Sequence, residues 1–395
     1  MAYINFKEET AAAIKELKNR NENNIKILKE INKDKEIINI VADEKYSYKI
    51  FNKRTMNTSK TEKEEDFLDI CNVNMVGTEF INCKFYNIRF RECNFIGCNF
   101  VECDFGGGGT IFQNCSFIMG ESIKVPSLNV KDNLSCSFVK CKMYCKFTCC
   151  NLSYLIIDKS SLKDTSFELS DMTNVIIIDS KLKKIDIVDV DLSGADILKT
   201  YIEDLEFNDK LKTKINEKTF IDKIEPYKNT RDEYEGIYMV YETLADKFKE
   251  NNLNNNFGEY YYLCKKMQRK TLKPLPKITS FIYWATSGYG ERILFPLVSS
   301  VIFIIIFAVL YLIFGMEIDG TVVSYGFYSG MPGSFQEFYN DFNEAINLSV
   351  GMFAAVGVNK SMPTAETYML SNMEMILGVI MAGVGIGTLT RKLVR

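Results

Sequence analysis

The chain has no histidine in 395 residues. That absence removes the commonest general base, the commonest metal ligand and any Ser-His or Cys-His nucleophile pair. A phosphate-cradling loop is missing too. The run Gly106 to Gly109 leads into Thr110 and Ile111, not into the Lys and Ser or Thr that the G-x-x-x-x-G-K-[ST] pattern needs. Neither sign of charge dominates. The formal net charge is -3, too small to imply a nucleic-acid partner. The first residues, MAYINFKEETAAAIKELKNRNE, hold no apolar core of signal-peptide length and read as the start of a soluble helix made in the cytosol. The twelve cysteines are therefore expected in a reducing compartment, without structural disulfides. No enzymatic activity, cofactor, metal or nucleic-acid partner is expected.

What is present divides unevenly. A length of 395 residues suggests two or three domains. The first 280 residues are rich in Lys, Glu, Asp and Asn, and the last 115 are mostly apolar. Ile293 to Phe314, ILFPLVSSVIFIIIFAVLYLIF, runs for 22 residues without a charge. That length crosses a hydrocarbon core of about 30 Å. A second stretch, MILGVIMAGVGIGTL from Met375 to Leu389, is shorter and glycine-rich. Extended upstream through Tyr368 and Met369 it reaches spanning length and takes in Glu374. Spans are thus expected at about 293–314 and 369–389. Flanking charge orients them. KKMQRKTLKPLPK (Lys265 to Lys277) precedes the first and RKLVR follows the second, while Lys360 is the only basic residue from Gly315 to Tyr368. A multi-pass protein of the plasma membrane with both termini cytoplasmic is expected. Trp284, the only Trp, lies in ITSFIYWATSGYG just before the first span. An aromatic amphipathic segment there suits a helix lying in the inner interface.

Between the spans, EAINLSVGMFAAVGVNK (Glu344 to Lys360) is apolar enough to be buried. Two readings fit its spacing. One is a re-entrant helix and turn, tolerated at membrane depth only where the backbone is buried in protein or lines a water-filled path. The other is an outer amphipathic helix that caps the two spans.

From Ala345 onward the sequence resembles the pore domain of two-transmembrane potassium-channel-type proteins. In that family a pore helix leads into a filter reading T-V-G-Y-G-D, then a Pro, then an inner helix bearing a Glu and a Gly, then basic residues. Here Ala355, Val356, Gly357, Val358, Asn359 and Lys360 fall on the filter without a gap. Pro363 falls on the proline, Glu374 and Gly378 on the inner helix, and Arg391 on the basic end. The resemblance implies a pore helix and filter-like turn at about 343–360, a homotetramer and permeant monovalent cations. Departures from the pattern weaken the selectivity signature. A potassium filter replaces the ion's water shell with rings of backbone carbonyls. Ala355 removes the Thr hydroxyl that starts it. Asn359 replaces the second Gly, although Asn visits left-handed backbone more readily than most residues. Lys360 replaces the acid, and a four-fold ring of ammonium groups at the outer mouth repels cations unless Glu344 or Glu366 pairs with it. Potassium selectivity is not expected; a weakly selective pore and a non-conducting one both fit. Gly378, Gly383, Gly385 and Gly387 crowd the inner helix, either as a hinge or as close-packing small residues. No Arg-rich helix precedes the pore, so direct voltage gating is not expected.

The middle of the chain repeats. Every fifth residue from Leu152 to Phe207 is apolar: Leu152, Ile157, Leu162, Phe167, Met172, Ile177, Leu182, Ile187, Leu192, Ile197, Ile202, Phe207. Two positions before each stands, in most cases, a small or β-branched residue. Met75, Phe80, Phe85, Phe90, Phe95, Phe100 and Phe105 keep the same period. Neither a helix nor a strand gives a period of five. The pattern resembles the pentapeptide-repeat family, with SGADIL (Ser193 to Leu198) close to its A-D-L consensus. The resemblance implies a right-handed quadrilateral β-solenoid over about residues 66–210. Roughly six coils at the strand spacing of about 4.8 Å make a rod of about 30 Å. The Gly106–Gly109 region is expected as a loop or slipped coil, and residues 1–65 as a helical cap. Cys83, Cys93, Cys98 and Cys103 take the inward small position, where Cys packs as an apolar group. Cys136, Cys141, Cys145, Cys149 and Cys150 are read as core packing, with soft-metal binding or redox sensing as the alternative, because their spacing matches no zinc pattern.

Residues 211–278 read as a helical hairpin, with Arg231 to Asn251 as its first helix and an Asn-rich break, NNLNNN, after it. The connector and the following SGYGER resemble the junction of bacterial fusions between pentapeptide repeats and a two-span pore. The pore module is expected over 279–395. The whole reads as a channel in the bilayer with a cytoplasmic solenoid for sensing or for a protein partner. The second reading is a membrane-anchored solenoid adaptor with a degenerate pore. A DNA-mimic role, known in the repeat family, has only the acids around Asp186 to Asp209 in support, diluted by Lys181, Lys183, Lys184 and Lys199.

Overall fold

The computed structural model describes residues 4–35, 40–57, 63–118, 134–326, 334–357 and 360–394. The chain divides into two compact units, Met1–Thr271 and Leu272–Arg395.

Most of the first unit is a parallel β-solenoid of about seven turns. Ile157 pairs with Ile177 and Ile177 with Ile197. One coil is therefore 20 residues (177 − 157), or four of the five-residue units. Among the described residues the strands form an eight-stranded sheet, from Ile50–Asn52 to Phe220–Ile221, and a seven-stranded sheet, from Leu68–Cys71 to Tyr201–Phe207. A further ladder runs from the Asn74–Val76 strand through Ser116, Asn151, Asp171 and Asp191 to Lys214. The chain turns between ladders at residues of positive φ spaced ten apart, such as Asn72, Asn82, Glu92 and Glu102. The outermost strands lie beyond the 66–210 span read from the period.

The five-residue period fills the interior. Of the twelve apolar residues from Leu152 to Phe207, all but Ile197 and Phe207 are buried. Upstream the rings stack in columns at the coil rise. Phe80, Phe100 and Phe138 lie 5.0 and 4.6 Å apart, and Phe90, Phe112, Phe147 and Phe167 lie 5.2, 4.9 and 5.1 Å apart. The inward cysteines bond backward to the coil before: the Cys103 thiol donates to the Phe80 carbonyl at 3.2 Å and Cys141 to Phe100 at 3.3 Å. Ser160, Ser180 and Thr200 continue the column of Cys103 and Cys141. Cys136, Cys141, Cys145 and Cys150 are buried among these columns, and Cys149 is exposed. The glycine run is a bulge within the Asp104–Gln113 strand. Its register against Lys142–Thr148 slips so that Met143 faces Phe105 and Cys145 faces Thr110.

The described residues of 1–65 hold one long helix and the first rung of the solenoid. The helix α1 (Phe6–Lys33) runs along the flank of the solenoid from its last coil to its first. Phe6 meets Phe220 and Tyr260, Ala13 packs with Ile178 and Leu198, and Ile27 and Ile31 pack with Val76, Ile96 and Leu134. Midway, the Arg20 guanidinium donates to the carbonyls of Tyr154 and Asn174 at 3.1 and 2.8 Å. Residues 43–55 lay the first rung, with Ile50–Asn52 paired to Glu79–Ile81. At the other end α2 (Arg231–Glu250) and α3 (Asn254–Thr271) close the core. Thr230 accepts from the Glu233 N–H while Glu233 accepts from the Tyr227 and Lys228 N–H groups, which fixes the start of α2. The buried hydroxyls of Tyr241 and Tyr260 accept from the Ile224 and Ile221 N–H groups, satisfying the backbone after the last strand. Lys247 pairs with Asp209 at 2.8 Å with both side chains largely covered. Burial opposes ionisation of Asp209, but Lys247, the Asp189 N–H and Thr213 outweigh it and hold the carboxyl down to about 2.

The seat of α1 carries a pH dependence. Asp196 lies against α1, where burial, then Glu16 and, more weakly, Glu9 raise its carboxyl to about 7 against the pull of Arg20. On the sheet its neighbours in register are the uncharged Ile176 and Phe220. Folded chain holds a proton there that unfolded chain loses near the ordinary carboxyl value of 3.8. The contribution of Asp196 to stability is therefore full below about pH 4 and is lost as pH rises to 7. Thermal melts are expected at lower temperature at pH 8 than at pH 5, and Asp196→Asn is expected to remove that component.

In the second unit, α4 (Pro274–Ser287) leads to α5 (Leu294–Phe314). A small antiparallel sheet of Met316–Ile318, Thr321–Val323 and Ser361–Pro363 follows in space. Two helices complete the unit: α6 (Phe335–Phe353) and α7 (Tyr368–Val394).

Candidate functional site

Among the described residues, two helices are long and apolar enough to cross a membrane. They are Leu294–Phe314, with mean hydropathy 3.0, and Tyr368–Leu393, with mean hydropathy 1.7. Between them, α6 starts at Ser334, whose hydroxyl accepts from the Glu337 N–H at 3.2 Å. This S-x-x-E start lies nine residues ahead of the expected pore-helix boundary at 343. The inward face of α6, Ala345, Leu348 and Ser349, packs on Phe307, Ala308, Tyr311 and Leu312 of α5.

The turn after α6 is tight. The N–H groups of Ala354, Ala355 and Val356 return to the carbonyls of Val350, Met352 and Gly351. Ala355 has φ +55° and Gly357 has φ +81°. Ala354 to Gly357 are exposed, Val356 at 79%. Val358 and Asn359, expected in the same turn, lie outside the described residues. Lys360 follows, and its carbonyl accepts from the Asp319 N–H at 3.3 Å. Its side chain is exposed, and among the described residues no ion pair joins it to Glu344 or Glu366. Glu366 is exposed, whereas Glu344 holds Oε2 buried without a hydrogen-bond partner.

A hairpin clamps this edge. Asp319 and Gly320 have φ +47° and +83°, a two-residue turn of the primed type between Met316–Ile318 and Thr321–Val323. The Asp-Gly pair between short apolar runs is the sequence signal for it. Beside it the Tyr325 hydroxyl donates to Asp341 of α6. Burial, then Asp341 and Glu337, push that phenol up to about 12, so it stays a donor at neutral pH.

Behind the turn, Glu374 of α7 is fully buried and joins three helices. Tyr311 of α5 donates to Oε2 at 2.8 Å, Ser349 of α6 lies against Oε1, and Ser349 also reaches the Ile304 carbonyl at 2.9 Å. Acids within candidate membrane spans are rare and face protein or a cavity; Glu374, in the second candidate span, faces protein. Loss of such a bond in a membrane averages about 0.6 kcal/mol and reaches about 1.7. Tyr311→Phe is expected to destabilise the unit within that range in thermal melts of detergent-solubilised protein.

The four inner-helix glycines do not share one environment. Gly378 backs directly onto the Phe353 carbonyl, so a Cβ there overlaps the α6 backbone. A Cβ at Gly385 would sit 3.8 Å from the Pro296 side chain, in ordinary contact, while Gly383 and Gly387 face open space. At the far end of α7, Arg391 and Lys392 pair with the buried Glu291 at 3.3 and 3.8 Å. Glu291 lies in the SGYGER junction.

Residues 80–118 match the family model described as pentapeptide repeats (9 copies). The first unit is thus a pentapeptide-repeat β-solenoid, and the matched segment lies wholly within it. Similar solved structures include a trypsin-treated variant of QnrB1, a plasmid-mediated fluoroquinolone resistance protein. It is 18% identical over 35% of this chain and 67% of its own, with TM-score 0.20. HetL, a pentapeptide repeat protein involved in heterocyst differentiation regulation in the cyanobacterium Nostoc sp. strain PCC 7120, is 11% identical over 41% of this chain and 86% of its own, with TM-score 0.14. Rfr23 of the cyanobacterium Cyanothece 51142 is 15% identical over 34% and 91%, with TM-score 0.12. No curated protein matches the chain. The solenoid is defined by its strand register and the repeat match, and the low TM-scores add nothing to it.

Proposed function

We propose that four copies of the second unit form a membrane pore of the two-span, potassium-channel-like type, conducting monovalent cations with weak selectivity. In this reading α6 is a re-entrant pore helix, both termini are cytoplasmic, and the membrane is the plasma membrane. The first unit then hangs on the cytoplasmic side as a right-handed, four-sided solenoid that senses a signal or binds a protein partner. No catalytic step, cofactor or nucleic acid enters this reading. The observation that carries it is the exposed left-handed turn at Ala355 and Gly357, held between two apolar helices and backed by buried Glu374. Irregular backbone exposed at membrane depth is tolerated only where it lines a water-filled path.

Lys360 supports a second reading, an adaptor anchored by a pore that no longer conducts, because among the described residues no carboxylate pairs with it. Proteoliposome flux of monovalent cations separates the two. Cation flux above empty vesicles is expected for the pore, and Lys360→Asp is expected to raise it several-fold by reversing the charge at the outer mouth. Background flux in both proteins, with monomers or dimers in detergent, points to the adaptor.

A further inference from the structure

Between α4 and α5 lies a groove of about 570 Å³. Phe281, Trp284, Leu294, Phe295, Val298 and Ile302 line it. The two hydroxyls on its wall do not make it polar. Ser299 donates to the Ala285 carbonyl at 2.6 Å and Thr286 to the Ile282 carbonyl at 2.8 Å. The same helix presents Leu275, Ile278 and Phe281 more than half exposed. A helix that exposes large apolar residues in this way suits the membrane interface.

Charge says what fills the groove. Lys273 caps the start of α4 and Lys277 follows one turn on, both exposed. Lys277 and Phe281 are neighbours one turn apart on α4, so Lys277 lies about 6 Å along from the groove, with Lys273 at the cap just before it. No carboxylate occurs on α4. Glu291, just after it, is buried and matched by Arg391 and Lys392. The mouth is therefore positive and the floor is apolar.

We propose that this groove holds an acyl chain of an anionic phospholipid, with its phosphate headgroup against Lys273 and Lys277. Lysine stems lie along apolar surface while their ammonium groups reach the interface, and basic residues beside a span attract anionic lipid. The proposal rests on the membrane reading of α5 and α7 and not on conduction.

Trp284 is the only Trp in the chain, so its fluorescence reports this groove alone. The full chain is placed in phosphatidylcholine vesicles with a small, equal fraction of either acyl-brominated phosphatidylglycerol or acyl-brominated phosphatidylcholine. Brominated phosphatidylglycerol is expected to quench at least threefold more. Lys273→Gln with Lys277→Gln is expected to bring its quenching down to the phosphatidylcholine level. Ala285→Phe, which fills the groove and spares the lysines, is expected to do the same. Equal quenching by the two lipids in the unaltered chain overturns the proposal, as does Ala285→Phe keeping the full preference. Absence of quenching by either, with the protein still floating with the vesicles, overturns it in favour of a second copy covering the groove. Protein that washes off the vesicles at alkaline pH overturns the membrane reading itself.

Discussion

Gly378→Ala is expected to destabilise the second unit more than an alanine at any other glycine of α7. A Cβ at this position falls on the Phe353 carbonyl oxygen, a backbone atom at the end of α6 that no rotamer change can move aside. Overpacking of a fitted site costs about 1–3 kcal/mol, and more when backbone must shift. Gly383 and Gly387 are internal controls, because a Cβ there meets nothing. Alanine at those positions gains helix propensity of about 0.5–1 kcal/mol and is expected to be neutral or stabilising. Thermal unfolding of detergent-solubilised protein, followed by Trp284 fluorescence, ranks the three. Gly378→Ala melting with the unaltered chain contradicts the α6–α7 contact. Gly383→Ala melting early places a second copy against that face. The displaced α6 end also carries the Ala355 turn, so Gly378→Ala is expected to lower any cation flux as well.

Phe100→Ala is expected to cost about 3–5 kcal/mol, the usual effect of removing a buried aromatic ring. Phe100 stacks on Phe80 and Phe138 at 5.0 and 4.6 Å and meets Phe85 and Phe105 edge-on at 5.7 Å each. In a solenoid each coil is held mainly by its two neighbours. A hole at this ring weakens the coupling between coils on both sides at once. The urea midpoint is expected to fall, and a broadened or split transition is expected if the two halves then melt apart. Leu211→Ala is the control: Leu211 is 86% exposed, and a change there is expected within about 0.5 kcal/mol. Equal midpoints for the two variants contradict the stacked column.

The interior of the solenoid was legible because its rule is local. Four five-residue units make one coil, so a residue's spacing from Leu152 or Met75 says whether it points inward. The cysteine columns followed from the same count. The two apolar helices were legible from hydropathy alone. The path of α1 was not. Its seat includes Val76, Ile96, Ile178 and Leu198, which lie on the outer side of the strands. Val175 to Ile178 is the signal for it, since four apolar residues in a row leave neither side of a strand suited to water. The period marks Ile177 and says nothing of its neighbours. The Asp319–Gly320 hairpin is equally present as a motif, overshadowed by the longer apolar runs on either side.

In the second unit the division is sharper. Sequence by itself supplied a helix, a turn and two apolar helices in order. It could not say that Glu374 meets Tyr311 and Ser349, because those residues are 63 and 25 positions away and only the packing of three helices brings them together. Nor could it tell Gly378 from Gly383. Both are glycines of one apolar helix, and a hinge and a close contact have the same spelling. The repeat period settled the solenoid because each coil repeats its predecessor. The tertiary structure alone decided what α1 covers, which glycine is needed for contact and how the buried acid is satisfied, because those depend on distant segments meeting once.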